Sequence, residues 1–159
     1  MTASLLPVIG KPAPDFALPA STGETISLRQ YKGKKTVVLY FYPKDETPGC
    51  TREACAFRDL GAEFEKHGTV ILGVSTDGIE SHQAFVAKHK LPFPLLADED
   101  AAVSKKFGVY KQRNLYGKKY MGIERTTFVI DKTGRVAQIY PKVKVEGHAD
   151  ALLEFLGDD

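Results

Sequence analysis

The chain contains two cysteines, Cys50 and Cys55, and both fall in one short segment, PKDETPGCTREACAFRD, from Pro43 to Asp59. A thiol can be a nucleophile, a metal ligand or half of a disulfide, and the spacing bears on all three. On an α-helix five positions mean a rotation of about 140° and a rise of about 7.5 Å. The two Cα atoms would then lie roughly 8 to 9 Å apart, beyond the limit of about 7 Å that a disulfide spans without backbone movement. The residues before Cys50 read as a helix start. Thr47 suits the N-cap, Pro48 the first helical position, and Cys50 then falls in the first turn. Unpaired N–H groups and the positive end of the helix dipole favour a thiolate there, and the same donors can receive an oxygen of an incoming substrate.

Packing offers the bland alternative. Cys50 would be a small buried hydrophobe on an apolar stripe, and Cys55, turned well away from it, an inert helix residue. The Thr-Pro pair and the second cysteine argue against that reading for Cys50; spacing alone leaves Cys55 open. A zinc site needs about four ligands, and His67, His82, His89 and His148 are scattered without finger-like spacing, so no metal is expected and each histidine reads as a solvated surface residue.

The elements that must position these residues follow from the pattern of the whole chain. At 159 residues, 43% hydrophobic and 26% charged, the expectation is one domain over residues 1–159 with its own core. A net charge of +2, with the signs well mixed, implies neither nucleic acid nor a membrane surface as partner. No apolar run reaches the roughly 20 residues that span a bilayer, and the opening MTASLLPVIG lacks the pattern of a secretory signal, so the expected location is cytoplasmic. In a reducing cytosol, paired cysteines are more often catalytic or metal-binding than structural.

PDFALPASTGETISL, Pro14 to Leu28, has two alternating arms around Gly23 and predicts a β-hairpin. TVVLYFYP is a nearly continuous β-branched and aromatic run, as in a strand covered on both faces, and Pro43 ends it. A helix is predicted from about Thr47 to His67, with Cys50, Ala54, Phe57, Gly61 and Phe64 on one face. TVILGVST then reads as a strand, IESHQAFVAKHK as a helix, FPLLAD as a short strand and AAVSKKFG as a helix. RTTFVID and VAQIYPKV flank a KTGR turn, and HADALLEFL closes the chain as an amphipathic helix. The basic cluster Lys111, Arg113, Lys118 and Lys119 sits in a polar stretch that reads as an exposed loop. This order predicts an α/β thioredoxin-like fold, a central mixed β-sheet flanked by helices with an N-terminal hairpin, and its active loop just after the strand that ends at Pro43.

FYPKDETPGCTREACAFRD resembles the active-site signature of the peroxiredoxins of the bacterioferritin comigratory protein (PrxQ) type, and YGKKYMGIERTTFVID resembles a second block of the same family. The similarity runs from GKPAPDFALPASTGETISL to the last helix. It implies a thiol-dependent peroxidase for hydrogen peroxide and organic hydroperoxides, an antioxidant enzyme with no metal or organic cofactor, reduced by thioredoxin or glutaredoxin. It matches Cys50 to the peroxidatic cysteine, Cys55 to the resolving cysteine, Thr47 and Pro43 to the other motif residues, and Arg125 to the distant arginine. An intramolecular Cys50–Cys55 disulfide is thereby implied, in a monomer or weak homodimer of the atypical two-cysteine kind. By sequence alone Arg125 is equally a surface strand residue, Thr47 a helix cap and Pro43 a strand terminator. Two rivals stand beside this reading. A general disulfide oxidoreductase would show Cys-x-x-Cys, which this chain lacks. A redox-regulated binding module or chaperone-like sensor would use the same disulfide as a switch.

Overall fold

The computed structural model describes residues 6–157. Its centre is a five-stranded sheet in the order β5-β4-β3-β8-β9, formed by β3 (Thr36–Phe41), β4 (Thr69–Ser75), β5 (Leu95–Ala97), β8 (Thr126–Ile130) and β9 (Val136–Tyr140). β3 runs parallel to β4 and antiparallel to β8, so the sheet is mixed, as the alternation of elements predicts. The apolar run in β3 is explained by its place in the middle. Val37, Leu39 and Phe41 join one buried cluster, while Val38, Tyr40 and Tyr42 join the other. Successive side chains of a strand point to opposite faces, and here both faces are covered.

One cover is made by α1 (Pro48–Asp59), α2 (Gly61–Lys66), α3 (Ile79–His89) and α5 (His148–Gly157), whose Phe57, Phe64, Phe85 and Leu152 share a cluster with Tyr40. The opposite cover is made by α4 (Ala102–Lys106) and the predicted N-terminal hairpin, β1 (Ala17–Pro19) with β2 (Thr25–Ser27). The hairpin pairs Leu18 with Ile26 and turns at Gly23, whose φ of +92° is cheap only for glycine. Among the described residues, no helix is long and apolar enough to cross a membrane.

Two sequence expectations need correction. The single helix from Thr47 to His67 is broken at Leu60, where φ −102° and ψ 12° leave the helical region and separate α1 from α2. The apolar stripe continues across the break, with Phe57 and Phe64 both buried, so periodicity alone could not reveal it. Gly61, a weak helix former, lets the chain change direction there. The basic stretch read as a loop is a second hairpin, β6 (Tyr110–Leu115) paired with β7 (Lys118–Ile123) through a turn at Tyr116 and Gly117 with φ of +52° and +80°. Most of its side chains face water, which removes the apolar alternation by which a strand is recognised.

Candidate active site

The sheet register brings the distant arginine to the cysteine. Phe41 at the end of β3 lies opposite Thr126 at the start of β8, so Arg125, one residue before β8, stands beside the loop into which β3 runs. That loop leaves the sheet after Tyr42, whose N–H makes a last bond to the Val74 carbonyl at 3.0 Å, and Pro43 then has no N–H to continue the ladder. Thr47 has the extended φ −85° and ψ 152° of an N-cap, Pro48 opens α1, and the Thr51 N–H returns to the Thr47 carbonyl at 2.8 Å. The Thr47 hydroxyl, however, donates to the Lys44 carbonyl at 3.0 Å and accepts no hydrogen bond from a helix N–H. Its cap is conformational, and its lone pairs, not its proton, are left for another partner.

Cys50 lies in the first turn of α1 and is 1% exposed. The Arg125 Nη2 donates to its Sγ at 3.3 Å, and Nη1 of the same guanidinium is paired with the Glu53 carboxylate one turn further along α1. Gly49 permits this approach, since a Cβ there would lie 3.2 Å from Nη2. Burial lowers the proton affinity of Arg125, its neighbours Glu53 and Cys50 raise it, and the net direction is up, so the cation is held at the sulfur. Burial pushes Glu53 up to about 7 against the pull of Arg125. Tyr40, raised well above its ordinary range first by burial and then by Glu53 and Cys50, stays neutral. Among the described residues, Tyr40 Oη and Glu53 Oε2 are the buried side-chain oxygens without a hydrogen-bonding partner.

Arg125 also reaches the surface. Together with exposed Pro43 it lines an open cleft of about 450 Å³, whose other walls include Gln112, Arg113, Glu124 and Lys142. The arrangement is a buried thiol at a helix start, a fixed cation on its sulfur and an open polar cleft beside that cation. Cys55 lies on the same unbroken helix, partly exposed, and both thiols are free.

A sequence model of the AhpC/TSA family matches residues 9–139. The chain is 54% identical to a putative peroxiredoxin Bcp of Coxiella burnetii, over 88% of this chain and 92% of the relative, and 51% identical to peroxiredoxin Bcp of Bacillus subtilis, over 94% and 95%. This chain belongs to the AhpC/TSA family, among the Bcp peroxiredoxins. Solved structures agree. Peroxiredoxin Q of Xanthomonas campestris superimposes with a TM-score of 0.86 at 47% identity, covering 93% of this chain and 96% of that one. A cysteine-to-serine mutant of PrxQ from Xylella fastidiosa gives 0.89 at 39% identity, covering 97% of each. The thioredoxin-like peroxiredoxin fold and a thiol peroxidase activity follow, with a peroxide as substrate and a thiol as reductant.

Of the residues singled out in the sequence of this peroxiredoxin, the structure brings Cys50 and Arg125 into contact, sets Pro43 and Thr47 in the loop from β3 to α1, with Pro43 on the same cleft as Arg125, and leaves Cys55 apart on α1. Glu53 was missed, although its place three residues after Cys50, in the same helix turn, was a readable signal. The histidines need correction as well. His67 is exposed, but His82 is 0% and His148 7% exposed. His148 is hydrogen-bonded to Thr127 Oγ1 at 2.8 Å, and burial, with a smaller contribution from Arg125, lowers its pKa to about 4. His82 converges with Asp45 and Asp77, their ligand-type atoms within 4.8 Å of one another, a grouping that spacing along the chain does not show.

Proposed function

We propose that this peroxiredoxin reduces hydroperoxides through a Cys50 sulfenic acid and an intramolecular Cys50–Cys55 disulfide. The Cys50 thiolate attacks the O–O bond; one oxygen stays on sulfur, and the other leaves as alkoxide or hydroxide and takes a proton. The Cys55 thiol then condenses with the sulfenic acid, releasing water and forming the disulfide. A cytosolic dithiol donor, thioredoxin or glutaredoxin, restores both thiols by exchange and leaves with its own disulfide. The observation that carries this reading is the Arg125 Nη2 donor 3.3 Å from the buried Cys50 sulfur. Its guanidinium favours the thiolate and can hold the peroxide oxygens as charge develops on them. Thr47 can accept a hydrogen bond from the peroxide, and Pro43 shapes the rim through which it enters.

The two cysteines share one helix, so their Cα separation is roughly 8 to 9 Å and the disulfide requires movement. We take the first turns of α1 to unwind on oxidation, withdrawing Cys50 from Arg125 and presenting the disulfide to its reductant. The test is NADPH consumption with thioredoxin, thioredoxin reductase and hydrogen peroxide. Sustained turnover supports the cycle, and a single stoichiometric oxidation would favour a redox sensor. Cys50→Ser should abolish the reaction, whereas Cys55→Ser should react once and hold a dimedone-reactive sulfenic acid. Normal turnover by Cys50→Ser would overturn the assignment.

A further inference from the structure

The loop that delivers Cys50 is tied down by a buried polar cluster. Asp45, two residues before Thr47, is 4% exposed. Its carboxylate accepts hydrogen bonds from the Tyr42 hydroxyl, from Ser81 Oγ at 2.8 Å and from His82 Nδ1 at 2.7 Å. Its backbone N–H donates to Asp77 Oδ2 at 2.8 Å, and Ser75 Oγ donates to the same oxygen at 2.7 Å. His82, on α3, has its other ring nitrogen 2.9 Å from the Leu96 carbonyl of β5, which can only accept. Nε2 therefore carries a proton. Nδ1 faces a carboxylate already receiving two hydroxyl hydrogens. Burial pushes Asp45 up, but the bonds from His82 and Tyr42 outweigh it and hold the carboxyl below its usual range. The ring therefore bridges the Asp45 carboxylate and the Leu96 carbonyl, and the cluster is closed off from solvent.

Such a buried polar pair is a poor stabiliser compared with apolar side chains of the same volume, because desolvation offsets most of its attraction. What it does supply is geometry, since each member accepts only a few partners in fixed directions. The next residue, Glu46, holds a left-handed φ of +65°. A non-glycine residue is strained there and persists only where its surroundings impose it. We propose that Asp45 and His82 are positioning residues for the peroxidase reaction. They fix the loop between β3 and α1 against α3 and β5, and so set where the first turn of α1 places Cys50 relative to Arg125. The inference rests on Cys50 being the attacking thiol.

The test uses the full chain in a Cys55→Ser background, where one encounter with peroxide is isolated. His82→Leu, His82→Gln and the apolar pair Asp45→Leu with His82→Leu are compared with the parent by stopped-flow oxidation with hydrogen peroxide, and by alkylation of Cys50 with iodoacetamide, which does not need the pocket. The expected result is a peroxide rate lower by roughly tenfold to a hundredfold, as for a small misplacement of a reacting group, with alkylation, compared at a pH high enough to ionise Cys50 in every variant, unchanged or faster. The apolar pair should regain melting temperature relative to His82→Leu without regaining the peroxide rate, a split that a purely structural role does not produce. Peroxide rates within twofold of the parent in the folded variants would overturn the proposal, and so would equal losses in both reactions. If the parent itself fails to react with one equivalent of peroxide, the assignment of Cys50 falls and this inference with it; if only the variants are unaffected, this inference falls alone.

Discussion

The chain is held differently on the two sides of Cys50. On the N-terminal side, Asp45 is fixed by its backbone bond to Asp77, in the loop after β4, and by side-chain bonds from Ser81 and His82 of α3, and Thr47 closes onto Lys44. On the C-terminal side, α1 is held by an apolar stripe, Cys50, Ala54 and Phe57, each at most 1% exposed, with the Glu53–Arg125 pair and one bond from Arg58 Nη1 to the His89 carbonyl at 2.8 Å. Hydrogen bonds are directional and fail together when their geometry is lost, whereas apolar contact has no fixed direction and can be released a turn at a time. The contrast agrees with the proposed cycle, in which the loop stays fixed and the helix unwinds. Between the cysteines, Thr51, Arg52 and Glu53 are polar, and of these only Glu53 is deeply buried.

The most severe way to perturb the comparison is to remove the group that holds the Cys50 end of α1 to the sheet. Arg125→Ala takes the donor from Cys50 and the partner from Glu53, and the expected loss in the rate of Cys50 oxidation is about a hundredfold to a thousandfold, the size seen when a preorganised donor is removed. Stopped-flow rates across pH, on a variant shown to be folded, measure it. An unchanged rate would return Arg125 to an ordinary surface role.

Hydrogen exchange sharpens the contrast directly. With the intramolecular disulfide confirmed by mass spectrometry, amides of residues 51–58 should lose most of their protection relative to the dithiol form, while those of residues 42–46 keep theirs. Equal protection of residues 51–58 in both forms would rule out unwinding of α1.

A smaller effect comes from the far side of the cluster that packs on α1. The folded pKa of His148, about 4, lies below its ordinary 6.5, so the folded protein binds fewer protons than the unfolded chain between those values. Its contribution is fully present above pH 6.5 and is lost as pH falls towards 4. His148→Gln should flatten the acid side of the melting-temperature profile across that window. A slope identical to that of the parent would contradict the assignment.

A change of similar size but opposite sign is expected at Glu53. Its folded pKa, raised to about 7 from 4.5, means that the fold prefers the protonated carboxyl, and this group removes stability as pH rises through that window. Glu53→Gln keeps an oxygen that can accept from Arg125 and removes the titration. Urea melts at pH 5 and pH 8 should show the variant gaining on the parent at the higher pH, and no relative gain would refute the assignment.

By itself the sequence determined what depends on near neighbours. Thr47 and Pro48 start a helix at Cys50, Gly23 turns a hairpin, and the β3 run demands cover on both faces; these follow from interactions a few residues apart. The family signature around Cys50, with the block containing Arg125, was equally readable. Tertiary structure decided what depends on distant segments meeting. The antiparallel register of β8 on β3 sets Arg125 against a thiol 75 positions away, and the parallel pairing of β3 with β4 carries Asp77 to the backbone of Asp45. The burial of His82 and His148, and of Glu53 beside Tyr40, depends on which helix covers which face. The break at Leu60 and the wet β6–β7 ladder belong with these. In the first the apolar period continues through the interruption, and in the second backbone pairing supplies the order while the side chains, facing water, carry no period to read.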